Sequence, residues 1–263
     1  MTPTDRRTRR GDLALLWHQI RYEQLSFWRN PQNAIFTFVF PVAIMVIFGA
    51  LFGGIAADSY FHGLSALRYY VPTIAALSVL SACYSQLAIT LATRRHQGIL
   101  KRAHATPLPA WTYFAGLLAH AVLVSVADVT LVVGVGVLYG VPVPAAGQWP
   151  EILLILVLGA AAFCALGVAV AGLIPNAEAA PSLVQLVQFP LVFISGTFMP
   201  IHSDMLNAIA DILPVRPFNQ ALIGAFSEDG AFDLKSLAVL LIWGLAGTLI
   251  AVTRFRWDSQ HAR

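Results

Sequence analysis

Six long apolar stretches divide the chain, each near the ~20 residues that a helix needs to cross a bilayer. They read as spans at about 33–56, 69–92, 113–140, 152–174, 180–200 and 236–253. The first is uncharged from Asn30 to Ala57, with Pro41 as a predicted kink. The second is uncharged between Arg68 and Arg94, and the third holds a single acid, Asp128. Between the last two spans, Met205, Leu206, Ile209, Ile212 and Leu213 recur at helical spacing, broken by Asp204, Asp211, Pro214, Arg216 and Pro217. That pattern predicts short helices lying in, or dipping into, an interface. Ahead of the first span, residues 12–30 alternate Leu13, Trp17, Ile20 and Phe27 with polar residues, as in an amphipathic helix lying on a membrane face. Trp28 and Arg29 fall at headgroup level.

Basic residues orient this pattern, because cytoplasmic loops carry the excess of Lys and Arg. One side holds Arg6, Arg7, Arg9, Arg10, Arg21, Arg29, Arg94, Arg95, Lys101, Arg102, Arg254, Arg256 and Arg263. The other holds Arg68, Arg216 and Lys235. The predicted fold is therefore an all-α membrane protein with six transmembrane helices and cytoplasmic N- and C-termini. It forms one domain over 1–263: a cytoplasmic segment 1–32, the bundle 33–253 and a tail 254–263. No cleavable leader is read, since the first apolar run follows about thirty polar residues and is long enough to span. No internal repeat is seen.

Composition agrees. Of 263 residues, 58% are hydrophobic and 11% charged, with mean hydropathy +0.72, whereas a soluble domain carries about 25% charged residues. The net charge of +3 suggests no nucleic-acid partner, because no basic cluster sits on a polar domain. Cys83 and Cys164 lie in apolar runs and read as small core residues.

The stretch Arg94–Gly116 interrupts two apolar runs with four cationic residues and no acid. Placed on one helix over 93–104, Arg94, Arg95, Lys101 and Arg102 share a face, since residues seven apart nearly superpose. Ile99, Leu100, Ala103 and His96 fall opposite. Gly98 lies within the basic face, where a missing side chain admits another backbone. Pro107 and Pro109 end the helix, and Trp111 and Tyr113 mark re-entry to the bilayer. Such a helix either grips anionic headgroups or docks a cytoplasmic partner.

Inside the membrane, Asp128 costs ~2.5–3.5 kcal/mol at mid-span and must face protein or water. It is a substrate contact or coupling switch, or it ties helices together through Ser125 or a neighbouring span. His120 lies about two turns away and about 80° around the helix, so the two cannot pair. The fifth span carries Ser182, Gln185, Gln188 and Ser195 on one arc, as a pathway wall or a subunit seam. Ser78, Ser81, Ala82, Ser85 and Ala88 form a small-residue stripe suited to close packing, with pathway lining the lesser reading. Gly196, Pro200, Pro214 and Pro217 read as turn formers.

Three stretches in order resemble the permease subunit of type-2 ABC exporters, the family that includes daunorubicin-resistance permeases. They are WRNPQNAIFTFVFPVAIMVIFGALFG (28–53), GILKRAHATPLPAWTYFAG (98–116) and FPLVFISGTFMPIHSDMLNAIADILPVRPFNQAL (189–222). The resemblance implies that the basic interruption is a coupling helix docked on an ATPase subunit through Arg94, Arg95, Gly98, Leu100, Lys101 and Arg102. The pathway candidates read from the residues are Asp128, Ser182, Gln185, Gln188 and Ser195, and in the family the fifth helix lies near the two-fold axis. A second permease copy or homologue is expected as partner, since six spans are few for a complete pathway, and the expected location is a bacterial inner membrane. The family often places a glutamate just before the loop glycine, where this chain has His96 and Gln97.

The sequence has no phosphate-binding loop, because Lys101 and Lys235 each follow a leucine rather than a glycine. ATP and Mg are accordingly expected on a separate ATPase, with no cofactor on this chain, which is not itself an enzyme. The expected substrate is amphipathic: a drug, a lipid or a natural product. The alternative is a proton-coupled secondary transporter using Asp128 with His120. An intramembrane enzyme is disfavoured by the lack of a metal-binding His-Glu-x-x-His motif and of a second span aspartate.

Overall fold

The computed structural model describes residues 3–54, 61, 64–105, 109–201, 203–227 and 233–254. Side chains of 3–12, 32, 33, 36, 103, 104, 110 and 254 lie outside the description. So do Pro107, the end of the first expected span at 55–56, and the tail 255–263 with Arg256 and Arg263.

Every regular element among the described residues is helical. Helix α1 covers Pro3–Trp28, α2 Pro31–Phe52, α3 Ala66–Leu80, α4 Leu87–His96 and α5 Ile99–His104. Then come α6 (Ala110–Leu138), α7 (Trp149–Leu173), α8 (Ala180–Ile194), α9 (Asp204–Ile212), α10 (Val215–Phe226) and α11 (Leu234–Arg254). A π-helical turn, Ser81–Gln86, joins α3 to α4, so Ala66–His96 is one continuous rod of 31 residues.

Among the described residues, four helices are long and apolar enough to cross a membrane: Ala66–His96, Trp111–Leu138, Trp149–Leu173 and Leu234–Thr253. Thr37–Phe52 and Ala180–Ile194 are shorter apolar helices. Helix α8 has 15 residues, about 22 Å at ~1.5 Å per residue against a ~30 Å hydrocarbon core. It stops at Ile194 rather than 200, because Gly196 takes a left-handed φ of +79° and turns the chain. Pro41 lies inside α2, which continues through it.

The rod α3–α4 runs through the centre, where Ile74, Val79, Cys83 and Leu91 are fully enclosed. Between bilayer-compatible helices the drive to associate comes from close packing more than from water exclusion, and glycines set the closest approaches. A Cβ on Gly247 would lie 2.9 Å from the Leu166 backbone nitrogen, and one on Gly244 3.3 Å from the Ala162 Cα, so α11 lies directly on α7. On another side of α7, a Cβ on Gly167 would come within 3.0 Å of the Cys83 and 2.9 Å of the Tyr84 carbonyl oxygens in the π turn.

The segment between α8 and α11 forms two short helices, and the second dips into the bundle. Phe218 of α10 is fully buried, fills the space over Gly159 and meets the Phe163 ring edge-on at 5.3 Å. Arg216 pairs with Asp211 at 3.0 Å and donates to the Asn207 side chain, fixing α9 beside α10.

Candidate functional site

Arg94 stands in the last turn of α4, and its guanidinium reaches back to α1. One nitrogen donates to Glu23 Oε1 at 2.8 Å and the other to Glu23 Oε2 at 2.6 Å, a two-pronged pair. Tyr113 of α6 lies 3.1 Å from Arg94, and Gln19 donates to Glu23 at 2.9 Å. Glu23 is 1% exposed, so this charge is tolerated in the interior because its partner and the amide saturate it. A Cβ on Gly116 would collide with the Gln19 side chain, which explains how α1 comes close enough to α6. Helix α1 is thus keyed to the bundle by charge. Its predicted apolar face splits: Leu13 and Trp17 point outward, whereas Phe27 sits against His120 at 5.3 Å between ring centres.

The next residue goes the other way. Arg95 is buried and donates to the Ile174 carbonyl, with the Gly172 carbonyl at 3.5 Å, so it caps the end of α7. The single helix expected over 93–104 does not exist. Helix α4 ends at His96, and Gly98, with φ +69°, turns the chain into α5. The Gly98 amide bonds the Arg95 carbonyl at 3.0 Å, a left-handed helix stop. No atom lies within 4 Å of a Cβ placed on Gly98. Within the chain its role is the turn, and the space beside it is open. Leu100 is fully buried and anchors α5, while Lys101 and Arg102 are exposed on it. The predicted basic face of four thus separates into two internal ties and two surface cations, because the break at Gly98 removes the common helical register.

Beside this junction lies a cavity of about 560 Å³ between α1, α2, α4 and α6. Gln86, Thr90, Thr93 and Gln97 line one wall. The rod presents polar groups on two sides, with the π turn at the changeover. Ser81 and Ser85 face α8, where Gln188 donates to Ser81 at 3.4 Å and accepts from Ser85. Gln86, Thr90, Thr93 and Gln97 face the cavity. Opposite them stand Leu117, His120 and Val124 of α6. The Gln86–Thr90–Thr93–Gln97 row was open to detection as a repeat at i, i+4, i+7 and i+11; the serines of the same rod obscured it.

The expected pathway residues do not share one wall. Asp128 is 1% exposed, lies beside Ser78 and is not part of the cavity. Its Oδ1 has no hydrogen-bond partner among the described residues. Ser125 does not tie it: that hydroxyl donates to the Ala121 carbonyl at 2.8 Å and touches Cys83 Sγ at 3.3 Å. On α8, Ser182 is exposed, Gln185 half-buried and Gln188 buried against the π turn. Ser195 belongs to a separate cluster with Thr197 at 2.7 Å and Asn219 at 3.2 Å. Of the two predicted polar stripes, Gln188 with Ser81 and Ser85 is the place where they meet.

The sequence profile of the ABC-2 type transporter family matches residues 14–227, which include α5, the Glu23–Arg94 junction and the whole cavity wall. The chain belongs to that family. Two curated relatives are each called a probable multidrug ABC transporter permease, YbhR, one from Escherichia coli strain K12 and one from Escherichia coli O157:H7. Each is 21% identical over 196 residues, 74% of this chain and 51% of the relative. The chain thus spans about half the length of the curated relatives it matches. As an ABC-2 family member with several membrane-length helices, it is a multi-pass membrane protein.

Proposed function

We propose that the chain is the permease subunit of an ATP-driven exporter of amphipathic molecules. It sits in a bacterial inner membrane with six spans, α2 and α8 included, and both termini in the cytoplasm. A separate ATPase binds ATP and Mg, and a second permease copy or homologue completes the pathway. The observation that carries the reading is the family match over 14–227 together with α5, an exposed basic helix anchored in the bundle by Leu100. Lys101 and Arg102 are the cations that meet the ATPase; Arg94, Arg95 and Gly98 hold the platform in place. A drug-like cargo follows the relatives' printed name, and export follows the family resemblance. The test is co-purification of the tagged chain from gently solubilised membranes. An ATPase subunit accompanies wild type and is lost from Lys101→Glu/Arg102→Glu, with the amount of inserted chain unchanged. An ATPase retained by that variant moves the contact off α5, and none with wild type overturns the reading.

A further inference from the structure

The cavity between α1, α2, α4 and α6 lies within one subunit and needs no second copy to form. The geometry points to a binding site for an uncharged amphipathic molecule, with a hydroxyl- or amide-bearing head against α4 and an apolar body against α6. Its volume of about 560 Å³ falls in the range of small-molecule sites, roughly 300–1,000 Å³.

Charge decides the class of ligand. The wall contains Glu23 and Arg94, but they form a two-pronged pair at 2.6 and 2.8 Å, so neither is available to a ligand. An ionised head group entering this space loses its water without gaining a counter-charge, which costs several kcal/mol. Neutral hydrogen-bonding groups are plentiful instead. Gln86, Thr90 and Thr93 line the wall, and their side chains make no hydrogen bond within the chain among the described residues. His120, also on the wall, has its buried Nδ1 without a partner among the described residues. Leu87, Leu117 and Val124 supply the apolar part. Mixed walls of this kind orient a ligand by a few polar contacts and hold it by its apolar surface.

As the cargo of the transporter, this ligand class rests on the function proposed above; the binding itself does not, and it is read without ATP. The full chain in lipid nanodiscs is exposed to three probes that share one diazirine-bearing alkyl chain and carry a glucoside, a trimethylammonium or a sulfate head. Cross-linked peptides are mapped by mass spectrometry. The glucoside labels peptides covering 86–97 and 117–124 about tenfold more than either charged probe. Thr90→Phe, which fills the space, abolishes that labelling. Gln86→Leu, which keeps the volume, weakens it by about fivefold or more. Leu186→Phe on the exposed face of α8 leaves it unchanged. Equal labelling by all three heads overturns the inference, as does labelling that persists in folded Thr90→Phe. Label spread evenly over lipid-facing α8 and α11 does the same. Loss of ATPase capture with wall labelling intact overturns only the function proposed above.

Discussion

Arg94 and Arg95 on one side of Gly98, and Lys101 and Arg102 on the other, have the same charge and lie within nine positions of one another. The first two are consumed inside the protein, one by Glu23 and one by the end of α7; the second two face out from α5. The difference lies in position relative to the turn. A cation in the last turn of a membrane-length helix finds carboxylates and carbonyls within reach of its long stem. A cation one turn beyond the glycine sits on the exposed side of α5, where Arg102 reaches back to the Gln97 carbonyl at 3.5 Å. Counting basic residues gives an expected cytoplasmic side but cannot say which of them hold the fold.

The largest test of this contrast is Arg94→Ala, which leaves Glu23 buried and unpaired. It should destabilise the chain by about 3–5 kcal/mol, read as a lower unfolding midpoint in detergent. Glu23→Ala/Arg94→Ala should recover part of that loss. Arg95→Ala, which uncovers the Ile174 carbonyl, is smaller, at about 1–3 kcal/mol. Gly98→Ala forces a side chain into a left-handed φ and should cost about 1–2 kcal/mol, with Gly98→Asn milder. Lys101→Ala/Arg102→Ala should stay within about 0.5 kcal/mol of wild type; a larger loss would erase the distinction between the pairs. The smallest effect lies at the far end of the molecule. Hydrogen bonding by the Ser236 hydroxyl, helped by the Ser236 and Lys235 amides, holds the Asp233 carboxyl below its ordinary range. Its folded value is depressed, so its stabilisation is full above the unfolded value of about 3.9 and fades as pH falls through the folded one. Midpoints of wild type and Asp233→Asn should converge only below about pH 4.

The helices were legible because bilayer thickness writes itself into run length. Expected spans at 152–174 and 236–253 are the helices Trp149–Leu173 and Leu234–Arg254. The short helices after α8 followed from apolar periodicity broken by prolines, and α1 followed from its alternation, although it starts at Pro3 rather than 12. What was hidden depends on partners distant in sequence. Arg94 and Glu23 are 71 positions apart, and no local pattern joins them. The π turn leaves no mark in a run of Ser, Ala, Cys and Tyr. Gly98 was visible, but its place inside an apparent helical face hid that it also ends α4. The side of the rod between Gln86 and Gln97, which lines the cavity, looks in sequence like ordinary helix polarity, because what makes it a wall is the space left by α1 and α2.

Glycines on α11 bring its backbone onto that of α7, and Gly167 brings α7 onto the π turn. At these joints the nearest neighbours are mostly main-chain atoms, so a larger residue has no room to turn aside. Any side chain added at Gly167 or Gly247 must therefore push whole helices apart rather than repack locally. Arg95 fastens the end of α7 beside α5, so the register of these three helices and the position of α5 are set by one connected set of contacts. Helices α1 and α8 are held differently, by longer side chains, through the Glu23–Arg94 pair and through Gln188.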